Sequence, residues 1–111
     1  MDEADPVADV ADEEWPPREN RLRAIRWRAD GHFERDEFFA AARTLAEAFQ
    51  LVGPGEGEVF RGLHHLAAAG YRHQNGEPER AARQLAHARR RLAAFPDCAE
   101  RVRVVERLLV S

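Results

Sequence analysis

The sequence predicts an all-α protein: a compact antiparallel bundle of about five helices with tetratricopeptide-like hairpins. Apolar residues recur at steps of three and four along most of the chain, the period of a helix that hides one face. Gly and Pro interrupt that pattern at short intervals, so successive helices fold back on one another. At 111 residues the chain suffices for one core and is too short for two.

Residues 1–14 stand outside the pattern. They hold seven acids (Asp2, Glu3, Asp5, Asp9, Asp12, Glu13, Glu14) and no base. So acidic a stretch, with no aromatic residue, cannot bury enough apolar surface to offset the entropy of ordering. It reads as a disordered acidic tail, and 15–111 as a single helical-bundle domain. The favoured role for the tail is solubility; the alternative is that it lies against the basic face of the domain.

Pro16 and Pro17 lead into helix one, placed at about 18–30 by Leu22, Ile25 and Ala29, with Gly31 as its stop. Trp15 and Trp27 flank this helix and read as covers for the core edge. Helix two carries the stripe Phe38, Ala42, Leu45, Phe49 and Val52. Asp36 and Glu37 sit near its start, where acids complement the helix dipole. Gly53-Pro54-Gly55-Glu56-Gly57 then breaks the chain. The break lacks the Lys-Ser/Thr of a phosphate-cradling loop, so it reads as a turn.

Helix three is expected over 58–74 and should be the most buried. Val59, Leu63, Leu66 and Gly70 form one line, and Phe60, Ala67 and Tyr71 the next. Ala67-Ala68-Ala69-Gly70 admits a close neighbour. Asn75-Gly76 closes this helix and Pro78 opens helix four, whose stripe is Ala81, Leu85, Ala88, Leu92 and Phe95. Asp97 with Glu100 matches a capping box for helix five, striped by Cys98, Val102, Val105 and Leu109. Tyr71, Gly76, Ala81, Leu85 and Ala88 look like the second half of a tetratricopeptide hairpin, although no period of about 34 residues recurs.

No apolar run approaches the roughly 20 residues that span a bilayer, and no basic-then-apolar leader is visible. A cytoplasmic location with no membrane partner is therefore the expectation. Cys98 is the sole cysteine, which excludes an internal disulfide and reads as a small buried hydrophobe. All 17 basic residues are Arg, and beyond the tail they face 13 acids. Exclusive use of Arg, with much Ala, fits a GC-rich genome and weakens any inference of phosphate recognition from Arg alone.

Phe60-Arg61-Gly62-Leu63-His64-His65-Leu66-Ala67-Ala68-Ala69-Gly70-Tyr71 resembles the signature of a prokaryotic helical family, "domain of unknown function 309". Members carry an aromatic, Gln-Gly-Leu-Ile-Gln, an Ala-rich run, then Tyr-His and Gly-Asn. Gly62, Leu63, Ala67 to Ala69, Tyr71 and Gly76 match; His64 and His65 replace Ile-Gln, and Arg72 stands where His is usual. The resemblance covers about 21–95 and implies a tetratricopeptide-like bundle. The family's second signature is an aromatic pair, Glu-x-His-Glu, then Leu-Glu and Trp. It fits here in two registers. Phe33-Glu34-Arg35-Asp36-Glu37 copies it with Asp for His. With Phe38-Phe39 as the aromatic pair, Ala40, Ala42 and Arg43 replace its polar residues. The resemblance implies no activity.

The five His (32, 64, 65, 73, 87) show no His-x-x-x-His spacing, and Cys98 is distant. No metal or cofactor is expected, and they read as ordinary polar side chains. Glu34, Asp36 and Glu37 read as helix-start acids in preference to a catalytic cluster. Arg80, Arg83, His87, Arg90 and Arg91 run along one flank of helix four. Without interleaved aromatics they read as a solvated face, and a nucleic-acid partner is disfavoured.

The leading functional reading is an interaction module. A groove between helices two and three would meet a protein partner or a second copy, presenting Glu34, Asp36, Glu37, Arg61, His65, Tyr71 and Arg72. The alternative is a small metal-dependent or hydrolase-like enzyme, resting on the eroded Glu-x-His-Glu signature. Catalysis is not favoured.

Overall fold

The computed structural model describes residues 17–53 and 55–110. The acidic segment, Trp15 and Pro16 lie outside these, so the expectations for them have no structural counterpart here.

Five α-helices are present: α1 (Pro17–Glu34), α2 (Phe38–Ala46), α3 (Glu58–Gln74), α4 (Pro78–Leu92) and α5 (Ala99–Val110). Short 3-10 turns follow α2 (Glu47–Gln50) and precede α5 (Pro96–Cys98), and no strand occurs among the described residues. Successive helices pack on one another, and α3 sits at the centre, against α2, α4 and α5. It buries Phe60, Gly62, Leu63, Leu66, Ala67, Ala69 and Gly70, more than any other helix. Glycine lets it do so. A Cβ on Gly70 would come within 2.5 Å of the Phe38 ring of α2, and one on Gly62 within 2.6 Å of Leu92 of α4.

The core runs through Ile25, Phe33, Phe38, Leu45, Leu63, Leu66, Leu85, Leu92, Cys98 and Val105. The predicted stripes of α2 and α4 supply its two flanks. On α2 the buried line is shifted slightly, to Phe38, Ala41, Thr44, Leu45 and Ala48. Ala42 and Phe49 are only partly buried, because they turn toward the outer edge of α3. Cys98 is 2% exposed, and burial raises its thiol pKa, so it behaves as the expected hydrophobe.

Three expectations need correction. Gly31 does not end α1, which continues for three more residues to Glu34. The stop is Asp36, at φ 57. The Asp36 N–H donates to Phe33 O at 3.1 Å and the Glu37 N–H to His32 O at 2.8 Å, a Schellman pair of bonds. An Asp in the left-handed region does here what Gly usually does. Second, the Asp97–Glu100 capping box is not formed. Asp97 pairs with Arg26 of α1 and Glu100 with Arg103, while a 3-10 turn leads into α5. Third, Trp27 does not cover the core: it is 46% exposed beside a groove of about 450 Å³ that Leu22, Arg26, Val59 and Phe60 also line.

The α3–α4 turn repeats the α1–α2 turn. Gly76, at φ 73, donates to His73 O at 3.0 Å, and the Glu77 N–H to Arg72 O at 2.9 Å. Position 36 thus corresponds to 76, and the buried Ala41, Leu45 and Ala48 to Ala81, Leu85 and Ala88. The two hairpins are related by an offset of 40 residues, longer than the 34 of a tetratricopeptide unit. Gln74 joins the two turns, its Nε2 donating to Asp36 O at 2.9 Å.

Candidate functional site

Among the described residues, one face of α3 has no helix over it. Phe60, Leu63, Leu66, Ala67 and Gly70 point into the core, so the helical period turns Arg61, His64, His65, Ala68, Tyr71 and Arg72 the other way. None of those six is buried. On one side Phe39 of α2 and Phe49 of the following 3-10 turn flank them, and on the other Gln84, His87 and Arg91 of α4. The three helices form a layer whose inner side meets the core and whose outer side is open.

Aromatic rings mark the α2 border. Phe39 is 53% exposed, and its centroid lies 5.3 Å from that of Tyr71. The Arg43 guanidinium sits 5.9 Å from the Phe39 centroid. At the other end Phe49 meets the His64 ring edge-on at 5.4 Å, with the Arg61 guanidinium 5.3 Å from its centroid. The small Ala42, Ala46 and Ala68 fall between these two aromatic ends in helical register.

Imidazoles and arginines mark the α4 border. Gln84 Oε1 accepts from His65 Nδ1 at 2.7 Å, and the His65 and His87 rings are 5.1 Å apart. Arg90 donates to His87 Nδ1 at 2.6 Å, which fixes that nitrogen as an acceptor and His87 as neutral. Burial, then Arg90, His65 and Arg91, push the His87 pKa down. Burial and His65 do the same for His64. Both imidazoles therefore take up a proton less readily than a free one.

Charge is segregated. Arg43, Arg61 and Arg72 stand on this face from α2 and α3, and Arg80, Arg83, Arg90 and Arg91 from α4. The acids beside them are Glu77, paired with Arg72 at 3.0 Å and Arg80 at 3.8 Å, and Glu58, paired with Arg91. Glu79 stands one turn before Arg83 on α4, and other acids pair away from this face: Glu47 with Arg28, Asp30 and Glu34 with Arg101, Glu106 with Arg89. Seven arginines with Glu58, Glu77 and Glu79 leave the open face positive.

The residues expected at a groove between helices two and three fall into separate places. Arg61 and Tyr71 do border α2. His65 leans instead on α4, and it is His64 that meets α2. Arg72 is tied into the α3–α4 turn by Glu77. Glu37 caps the α1–α2 turn, accepting from His32 Nδ1 at 2.7 Å and pairing with Arg35 at 3.2 Å, contacts that lower its pKa. Asp36 serves that turn through its backbone, and Glu34 reaches toward Arg101 on α5. These three acids do not converge on a shared point. Among the described residues no three His, Cys, Asp or Glu side chains come together in a way that could hold a metal ion.

Comparison of the chain with protein-family models, curated proteins and solved structures finds no match. The residues that carry the likeness to the 309 family have packing roles here. Gly62, Leu63, Ala67 and Ala69 are buried, and Gly76 makes the left-handed turn.

Phe39, Phe49, His64 and His87 belong to the face and were not among the residues expected there. A signal for the first three exists in the sequence. Positions 39, 42, 46 and 49, and 61, 64, 68 and 71, each step by three and four, and they form second stripes beside the core stripes. The arginine flank of α4 lacks interleaved aromatics along its own helix, and the fold brings them from α2 and α3.

Proposed function

We propose that the protein is a non-catalytic binding module whose α2–α3–α4 face takes an acidic polypeptide segment. The excess of positive charge carries this reading: seven arginines and three histidines stand on the face with the exposed Phe39 and the half-buried Tyr71, against Glu58, Glu77 and Glu79. The fold does not need that surplus. Like charges on one surface repel, and an incoming row of carboxylates relieves the repulsion. Arginine is suited to the task, because its planar fork binds carboxylate in two parallel hydrogen bonds. Phe39 and Tyr71 supply the apolar anchor that binding surfaces concentrate at a few positions.

A polypeptide fits better than a nucleic acid. Phe49 and Tyr71 are half-buried and engaged with neighbouring rings, so they offer no free flat platform for a base.

The test is anisotropy of a labelled deca-glutamate peptide. It is titrated with a full chain whose seven acids in 1–14 are changed to Asn or Gln, so that they do not compete. Phe39→Ala and Arg83→Ala should each weaken binding by about fivefold, and Arg103→Ala on α5 should leave it unchanged. Equal losses for all three, or tighter binding of a single-stranded oligonucleotide than of the peptide, would overturn the reading.

A further inference from the structure

We infer that an acidic segment binds this face together with a proton, which the neighbouring imidazoles of His65 and His87 take up, so that the site holds its ligand more tightly as the pH falls. The inference rests on the reading of the face as an acidic-segment site. It adds how that site is regulated.

Three imidazoles stand in a row across the face. The His64 and His65 centroids are 6.4 Å apart, and those of His65 and His87 5.1 Å, with the latter planes tilted by 32°. His65 Nδ1 carries its proton toward Gln84 Oε1, so Nε2 is its basic atom. His87 is the reverse: Nδ1 accepts from Arg90 and is itself the basic atom. A guanidinium only donates, so His87 cannot take a second proton while Arg90 holds that nitrogen. Rings as close as those of His65 and His87 bind one proton between them before either the second can follow, because two charges so placed repel.

The surrounding charges are committed elsewhere or oppose that proton. Arg90, His65 and Arg91 act on His87, and His65 acts on His64. Among the described residues no carboxylate pairs with any of the three rings. On α4, Arg83 and Glu79 stand one and two turns before His87, the acid roughly 12 Å away along the axis. Glu77 pairs with Arg72 and Arg80, and Glu58 of α3 with Arg91, while Arg61 lies over Phe49. From α2 comes Arg43, at Phe39; Glu47 of the 3-10 turn goes to Arg28, and Glu106 of α5 to Arg89. The protein's own groups therefore resist a charge on the pair. A ligand carboxylate reverses this. It takes the Arg90 guanidinium and so releases His87 Nδ1. A proton from solvent then completes an imidazolium, which donates to a second carboxylate. By linkage, a ligand that promotes proton binding is itself bound more tightly as protons are supplied. The gain ends where the ligand's own carboxylates titrate, at about pH 4.3 for glutamate.

The experiment titrates the labelled deca-glutamate with the same full-length protein at pH 7.5 and pH 6.0. Affinity should rise about fivefold, against a ceiling of about 30-fold for one linked proton over that range. Calorimetry at pH 6.5 in two buffers of different ionisation enthalpy should show net proton uptake on binding, a readout that needs no variant. His65→Gln combined with His87→Gln should abolish both the gain and the uptake. His73→Gln should keep them, since His73 shares the buried line of Gly62, Leu66 and Ala69 and is turned from the face. A gain kept in full by the double variant would put the proton elsewhere and overturn the inference. Equal affinities at the two pH values, with binding still lost in Phe39→Ala and Arg83→Ala, would refute the linkage and leave the binding face standing. If the peptide binds at neither pH, the face reading fails first and the linkage falls with it.

Discussion

Gly70→Ala isolates the contact that lets α2 lie against α3. On an open helix the change is favourable, because Gly costs about 1 kcal/mol relative to Ala in backbone entropy. At Gly70 the new Cβ would stand 2.5–2.6 Å from three carbons of the Phe38 ring. Phe38 is 2% exposed, with its ring 6.1 Å from that of Phe33, so it has nowhere to swing. Overpacking of this kind costs typically 1–3 kcal/mol. The repulsion exceeds the propensity gain, and we expect a net loss of about 1–2 kcal/mol. Gly31→Ala is the matched control. Gly31 also lies inside a helix, and its Cβ would meet only the tip of Arg35 at 3.5 Å. That variant should gain up to about 1 kcal/mol. Guanidinium melts of both, and of Gly70→Ala with Phe38→Leu, complete the measurement. The double variant should lose less than the sum of the singles, because the smaller side chain makes room for the methyl. If Gly70→Ala proves as stabilising as Gly31→Ala, α2 and α3 do not meet as described.

Leu45→Ala should cost about 2–5 kcal/mol in the same melts, since Leu45 is fully buried at the centre of the core. Leu85→Ala should fall toward the lower end of that range because Leu85 is 8% exposed, and Arg83→Ala should cost about 0.5 kcal/mol or less. Asp36→Gly should stabilise by roughly 0.5–1 kcal/mol by relieving a left-handed residue, and Gly76→Ala should destabilise by about 1 kcal/mol by creating one. Opposite signs in that pair are the outcome that matters. His64 should make stability fall on the acid side. Its folded pKa is held below the unfolded value near 6.5 by burial and by His65, so the folded state resists protonation. The resulting stability is present above about pH 6.5 and is lost as pH falls through the lowered pKa. Midpoints at pH 7.5 and pH 5 should therefore draw closer in His64→Gln.

Much of the fold is written in local pattern. The stripe of α4 and the bounds of α3 follow from spacing, because a buried line at steps of three and four has few other solutions. The end of α1 does not. Gly31 looks like a stop, yet nothing about Gly obliges a helix to end. What ends α1 is Asp36 together with the carbonyls of His32 and Phe33, and an Asp carries no such mark in sequence. The capping box at Asp97 failed for a related reason. The Asp97 carboxylate stands 3.4 Å from Arg26, 71 residues away in sequence, a neighbour that local pattern does not reveal. Site residues suffered most. The arginine flank of α4 was visible, but the aromatic rings that complete the face stand on other helices, and sequence order keeps them apart.

The 40-residue offset shows how one plan served two ends. In the second hairpin Gly76 and the ion pair of Arg72 with Glu77 hold the turn; in the first, Asp36 and His32 with Glu37 do the same. Ala41, Leu45 and Ala48 match Ala81, Leu85 and Ala88 in the shared core. The correspondence stops at the outer stripes. Where α2 presents Phe39, Arg43 and Phe49, the equivalent positions of α4 are Glu79, Arg83 and Arg89. The equivalents of the small Ala42 and Ala46 are Ala82 and Ala86. Core positions tolerate few exchanges, because volume and rotamer are fixed by neighbours. Outer positions are under no such constraint, and here one hairpin carries Phe39, Arg43 and Phe49 where the other carries Glu79, Arg83 and Arg89. Their junction on α3 is therefore the place where exposed aromatic and cationic side chains lie side by side.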